Sequence, residues 1–208
     1  MEEKTLVGYF TDGGFFMWPI LICFIGGLAI CIERLITLTR AATNTKQFLV
    51  KIKQSLDEGG VERATEVCAS QRGSVALIFH AGLLRARKGV EHVEKAIVNA
   101  GAVEMAFLER GMVWLGFFVG AAPLLGFTGT VQGMIEAFDA IAKANDISPT
   151  IVADGIRTAL YTTLFGLMVA ILLQFFFNYF TAKINRIVAD MEESSSELVD
   201  YLLENEVR

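Results

Sequence analysis

Three apolar stretches of nearly membrane-spanning length limit what this chain can fold into. Residues 15–32 carry no charge, residues 112–138 carry one carboxylate (Glu136, near the end), and residues 156–180 carry only Arg157, at the start. A helix crossing hydrocarbon needs about 20 predominantly apolar residues. A soluble domain of 208 residues, even one 53% hydrophobic, does not carry three such runs. The spacing predicts an all-α polytopic membrane protein with no β pattern and no sequence repeat. The first stretch is a poor signal peptide, because acidic Glu2, Glu3 and Asp12 precede it in place of a basic segment.

Lys and Arg set the expected orientation. Eleven of them lie in residues 40–110, and Arg34, Lys183, Arg186 and Arg208 fall on the same side. Only Lys4, Lys143 and Arg157 fall on the other. The positive-inside rule therefore predicts an outer N-terminal segment 1–14, a first span 15–38 and a cytoplasmic helical region 39–110. A second span 111–141, an outer loop 142–155, a third span 156–181 and a cytoplasmic helical tail 182–208 follow. Within the cytoplasmic region, Phe48, Leu49, Ile52 and Leu56 recur at helical spacing, and so do Val61, Ala64, Val67 and Cys68. Leu77, His80, Leu83 and Leu84 mark a third helix. The breaks are expected at 57–60, at 72–74 and near Lys88 and Gly89. From Glu91 only isolated glycines interrupt the pattern, which predicts one continuous helix into the second span. After the third span, Ile184, Val188, Met191, Ser195, Leu198 and Leu202 form a seam that should pack against another helix. Cys23 and Cys31 lie about 12 Å apart on one helix at 1.5 Å rise per residue, too far to bridge.

The spans are not uniformly apolar. On a helical wheel, Thr128, Gln132, Glu136 and Asp139 share roughly one quadrant of span two. Gly126, Gly129, Thr130, Gly133, Ala137 and Ala140 take the adjacent arc, and bulky residues fill the rest. Span three sorts likewise, with Thr158, Thr162, Thr163, Gly166 and Gln174 within one side. Hydrocarbon offers polar groups no partners, so such faces must meet protein or water. Small and hydroxyl residues are also the ordinary material of membrane helix contacts, so each face is expected both to pack a neighbour and to line an ion path. Neither face has a carboxylate at mid-membrane depth. Glu136 sits about 9 Å along the helix from Thr130. A proton relay needs a titratable group on the path, so a conducting assembly requires one from a partner. Glu136 is the candidate outer carboxylate, and Glu33 and Arg110 are a candidate ion pair at the inner membrane surface. Arg157 is expected to pair locally with Asp154. His80 and His92 lack metal-ligand spacing. The sequence holds no P-loop or nucleophile elbow, and its basic residues show no nucleic-acid pattern. No catalytic residue, metal ligand or cofactor is expected.

The run 122–134 (APLLGFTGTVQGM) resembles span two of the MotA/TolQ/ExbB proton-channel family. Gly155-Ile156, Ala159-Leu160, Thr163, Gly166-Leu167 and Ala170-Ile171 resemble its span three, and Glu33-Arg34-Leu35 fits the inner end of span one. Three spans favour the TolQ/ExbB branch over the four-span MotA branch. The resemblance implies an inner-membrane homopentamer around a pore, with the N-terminus periplasmic and the C-terminus cytoplasmic. Single-span ExbD- or TolR-like helices, each with an aspartate, would enter the pore, and ion flow would drive a TonB- or TolA-like protein. By motif, Thr130 and Thr163 match the pore threonines, with Thr158, Thr162, Thr128, Gln132, Gly133 and Gly166 as further pathway positions. The departure from the family is Thr158, where many relatives have Glu, and it leaves Na⁺ open beside H⁺ as the transported ion. TolQ-like envelope maintenance, a motility motor, or a non-conducting scaffold for a partner helix are the alternatives.

Overall fold

The computed structural model describes residues 6–42, 44–144 and 149–204. Seven α-helices account for most of them: α1 Leu6–Asp12, α2 Met17–Ala41, α3 Thr45–Ser70, α4 Ser74–Leu83, α5 Val90–Leu108, α6 Met112–Ala144 and α7 Pro149–Glu204. A single 3-10 turn spans Ala86–Lys88. No strand occurs among the described residues. Three of the helical stretches are long and apolar enough to cross a membrane. The chain divides into two compact units: residues 1–33 with 111–178, and residues 34–110 with 179–208.

The first unit holds α1, most of α2, α6 and the first half of α7. Lipid gives apolar helices no hydrophobic reason to associate, so close van der Waals packing must hold them. The sequence places small residues where that packing occurs. A Cβ at Gly26 would lie 2.9 Å from the Phe118 ring of α6, and one at Gly27 would lie 2.5 Å from Leu173 of α7. Cys23, Ala122 and Ala170 form the buried centre, flanked by Phe118, Ala121, Leu125 and Val169. Outward positions such as Phe15, Val113, Leu124 and Ile171 are exposed, as lipid-facing residues should be. Pro123 sits within α6 without ending it.

The second unit is a helical bundle of the end of α2, α3, α4, α5 and the second half of α7. The expected breaks are present. Gly60 (φ 67°) kinks α3, and Gly73 (φ 129°) and Gly89 (φ 102°) cap the starts of α4 and α5. Phe48, Leu49, Ile52 and Leu56 are buried, as are Ala64 and Cys68. Burial pushes the Cys68 thiol up to about 12, so this cysteine is inert near neutral pH. The α7 seam is also as expected, with Ile184, Met191, Leu198 and Leu202 buried. Lys53 pairs with Glu197 at 2.6 Å, and Tyr201 donates to Asp57, tying α7 to α3.

Several expectations need correction. Helix α5 does not run unbroken into span two. It ends at Leu108, and α6 begins at Met112 after a turn in which Gly111 takes φ 85°. On α4 the core face is Val75, Ala76, Ile78, Phe79 and Leu83, whereas Leu77 and Leu84 are exposed. The helix is apolar nearly all round, so spacing alone could not select its inner face. Helix α7 starts at Pro149, inside the segment 142–155 expected as a loop, and α6 reaches Ala144. The residues between them, 145–148, fall outside those described.

Candidate functional site

Helices α6 and α7 meet along a ladder of small residues. A Cβ on Gly126 would lie 2.9 Å from the Thr162 carbonyl oxygen, and one on Gly133 would lie 3.0 Å from that of Gly155. Conversely, a Cβ on Gly155 would reach the Gly133 carbonyl at 2.9 Å, and one on Gly166 would reach the Ala122 carbonyl at 2.6 Å. The two backbones are therefore in direct contact, which only glycine permits.

Thr130 and Thr163 lie inside this contact. Their hydroxyls hydrogen-bond to each other. Thr130 Oγ1 also donates toward the carbonyls of Gly126 (3.3 Å) and, across the contact, Ala159 (3.2 Å). Thr163 Oγ1 lies 3.3 Å from the Gly126 carbonyl. Both side chains are half-buried. Thr162, only 1% exposed, bonds back to Ala159 of its own helix at 2.9 Å. The result is a compact set of four neutral oxygens: two hydroxyls and the carbonyls of Gly126 and Ala159. Such oxygens suit water, a hydronium or a hard cation. None of them titrates near neutral pH, so the set can pass or position an ion but cannot store a proton.

Most of the other predicted polar residues lie outside this contact, and Thr158 makes a separate one. Thr128, Gln132, Glu136 and Asp139 are all exposed, forming the wheel quadrant as a stripe that none of the described helices covers. Thr128 satisfies its hydroxyl on the Leu124 carbonyl (2.8 Å), and Gln132 donates to Glu136 (2.8 Å). Thr158 donates its hydroxyl to the Asp12 carbonyl at the end of α1 (3.0 Å), and its methyl lies 3.5 Å from an ideal Cβ on Gly14. Tyr161, one turn on, makes an edge contact with Tyr9. At this position the chain docks its N-terminal helix on α7. Replacing Thr158 with Val removes one hydrogen bond, worth about 1 kcal/mol. Amide exchange across residues 8–14 should then quicken roughly fivefold, since 1.4 kcal/mol is about tenfold, while exchange at residues 120–135 stays unchanged. Unchanged exchange at 8–14 would show that the contact does not hold α1.

Arg157 pairs with Asp154 at 3.0 Å, as expected. Glu33 and Arg110 are exposed side chains of different units. The residue that carries structure here is Arg34, which is only 3% exposed. Its Nη1 donates to the carbonyls of Phe107 (3.3 Å) and Leu108 (3.2 Å), at the C-terminus of α5. Helix ends leave carbonyls without intrahelical donors, and a cation there also meets the negative end of the helix dipole. The sequence signal was limited to an arginine at the end of an apolar span, because the α5 end that it meets falls where continuous helix was expected. Charge counting used it only for orientation.

This arrangement can be set beside known proteins. Residues 70–193, more than half the chain, match the MotA/TolQ/ExbB proton channel family. The chain belongs to that family. The region that matches includes both helices of the threonine contact and most of the second unit. An ExbB homolog of the biopolymer transport kind from Methanothermobacter thermautotrophicus is 30% identical over 182 residues, covering 87% of this chain and 64% of that protein. The biopolymer transport protein exbB1 of Vibrio cholerae is 26% identical over 162 residues, covering 76% and 71%. The Tol-Pal system protein TolQ of Haemophilus influenzae is 33% identical over 99 residues, covering 48% and 43%. The chain thus spans less than two thirds of the first of these relatives and less than half of the third. Family membership and three spanning helices make it an integral membrane protein of a channel family.

Proposed function

We propose that the chain is the stator subunit of an ion-driven motor of the ExbB/ExbD type. Several copies, five by family resemblance, would surround an axis in the bacterial inner membrane, with the N-terminus periplasmic and the C-terminus cytoplasmic. The observation that carries this reading is the uncovered stripe of Thr128, Gln132, Glu136 and Asp139 on α6. Four polar side chains at helical spacing on a spanning helix are too costly to leave in lipid, so they must face neighbouring protein or water. Copies of the same helix around one axis would satisfy them together. Thr130 and Thr163, half-buried beside that stripe, would exchange their mutual bond for one to a passing ion or to an incoming carboxylate. Thr162, Gly133 and Gly166 hold the two helices at the spacing this needs.

The oxygen set has no titratable group, so the proton acceptor comes from elsewhere. We assign it to the transmembrane aspartate of a single-span subunit of the ExbD/TolR type. Ion flow past that aspartate would move the single-span subunit and drive a TonB-like energiser of outer-membrane transport. H⁺ is the ion the family description names, and the hydroxyl-rich site leaves Na⁺ as the alternative. The experiment is reconstitution of the chain into liposomes with and without an Asp-bearing single-span subunit encoded beside it. Flux that requires both proteins and is lost when the aspartate becomes asparagine is the expected result. A chain that neither retains the subunit nor conducts with it would overturn the proposal. One observation favours a different reading: the Thr130–Thr163 bond lies within one chain and serves packing as it stands. A scaffold that only clamps a partner helix would need no more than that. TolQ-like output remains the alternative within the motor reading, and a neighbouring TolA-like in place of a TonB-like protein would identify it.

A further inference from the structure

The second unit carries two uncovered surfaces of opposite character. A groove of about 610 Å³ runs between α5 and the end of α7. Its apolar walls include Val98, Met105 and Leu203, all well exposed, and Ala102 also lines it. Its charged residues are Glu94, Glu192 and Asp200, and no cation lines it. A shallower concavity between α4 and α5 is lined by Arg85, His92 and Lys95 and by no acid. Beside it, the outward face of α4 presents Leu77 and Leu84, 52% and 62% exposed, followed by Lys88. On the α5 wheel the two surfaces point roughly a third of a turn apart.

The pairing of charges within the unit is informative. Lys53, Arg63 and Arg87 each have a carboxylate partner in the same chain. Among the described residues, Glu94, Glu192, Asp200, Arg85, Lys88 and Lys95 have none. Three of the unit's unpaired acids line the apolar groove, and three of its unpaired bases lie around the apolar ridge and the concavity beside it. We infer that the groove receives the Leu77–Leu84 ridge of a second copy of this chain, with Arg85 and Lys88 meeting Glu94, Glu192 and Asp200. The two surfaces differ and lie on separate sides of the unit, so the contact is head-to-tail. A head-to-tail contact builds a ring when its rotation closes, which the assembly around one axis proposed above requires. An anionic membrane surface would neutralise the bases but leave the acidic groove open, whereas a second copy covers both. This inference rests on the oligomeric assembly proposed above and specifies which faces of the second unit join the copies.

The test uses the full chain in native membranes. Cysteines are introduced at Ala102 in the groove and Leu84 on the ridge. The three native cysteines are buried and serve as a silent background. A short thiol-to-thiol cross-linker should give a ladder of oligomers with the double variant and no cross-link with either single variant. Glu94→Lys with Glu192→Lys should reduce the ladder at least tenfold, Arg85→Glu with Lys88→Glu should do the same, and combining all four should restore it. Dimers from Leu84→Cys alone would mean a two-fold contact and overturn the head-to-tail arrangement. A missing ladder alongside an intact oligomer by native mass spectrometry would overturn this inference and leave the stator reading standing. A monomeric chain would overturn both. If Arg85→Glu with Lys88→Glu leaves the ladder unchanged, the ridge bases do not meet the groove and the assignment fails.

Discussion

Replacing Gly166 with Leu should prevent α6 and α7 from packing and leave little folded protein in the membrane. The first side-chain carbon would arrive 2.6 Å from the Ala122 carbonyl oxygen and 3.1 Å from the Gly126 Cα. Both are backbone atoms that cannot swing aside, so the helices must separate. Overpacking typically costs about 1–3 kcal/mol, and here it also breaks the neighbouring threonine bonds, so about 3 kcal/mol or more is expected. Gly120 on α6 is the control. A Cβ there meets nothing within 4 Å in the chain, and Gly120→Ala should change stability by less than about 1 kcal/mol. Thermal unfolding in detergent, followed by circular dichroism, compares the two. Equal effects would mean that the close approach of the backbones is not what holds this pair of helices.

Arg34→Met should produce the second large effect. The guanidinium is nearly fully buried and supplies donors to two carbonyls at the end of α5. Removing it deprives the Leu108 carbonyl of its charged donor, whereas the Phe107 carbonyl keeps the Arg110 N–H at 3.2 Å, so about 1.5–3 kcal/mol, the usual worth of a charged hydrogen bond, is expected. Lys should recover only part of this, because an ammonium is a more strongly hydrated point charge than a guanidinium and costs more to bury. The loss should be local first: limited proteolysis should open the chain near residues 108–112, where α5 ends and α6 begins. An unchanged melting temperature and an unchanged cleavage pattern for Arg34→Met would remove Arg34 from the structural account.

Much of this architecture was legible from residue type alone. Charge-poor runs near 20 residues mark spans because the bilayer imposes that length. Gly60, Gly73 and Gly89 were readable as breaks because charged or polar neighbours accompany each one. Gly111 was missed for lack of that surrounding signal on both sides: Glu109 and Arg110 precede it, but an apolar span follows at once. Its positive φ is a property of the backbone that periodicity does not encode. Leu77 and Leu84 mark a helix by their spacing yet face outward, because a helix apolar on every side carries no directional pattern. The wheel separated the small-residue arc of α6, which packs on α7, from its polar quadrant, which is exposed. It could not tell that Thr130 and Thr163 bond each other while Thr128 and Gln132 stay uncovered, since hydroxyl and small residues look alike whether they pack or conduct. Arg34 was hidden by its neighbour: Glu33 suggested a pair with Arg110, while the buried charge turned to carbonyls that carry no sequence signature.

The most direct measurement of the central claim is proton flux through liposomes holding the chain and its single-span partner, compared with the Thr130→Val/Thr163→Val double variant. Valine keeps the shape of the small-residue contact and removes only the hydroxyls, and native mass spectrometry checks that the assemblies match. If each hydroxyl contributes about 1 kcal/mol to lowering the barrier, the double variant should conduct roughly thirtyfold less. Wild-type flux from an intact double-variant assembly would contradict the account and leave these threonines as packing residues alone.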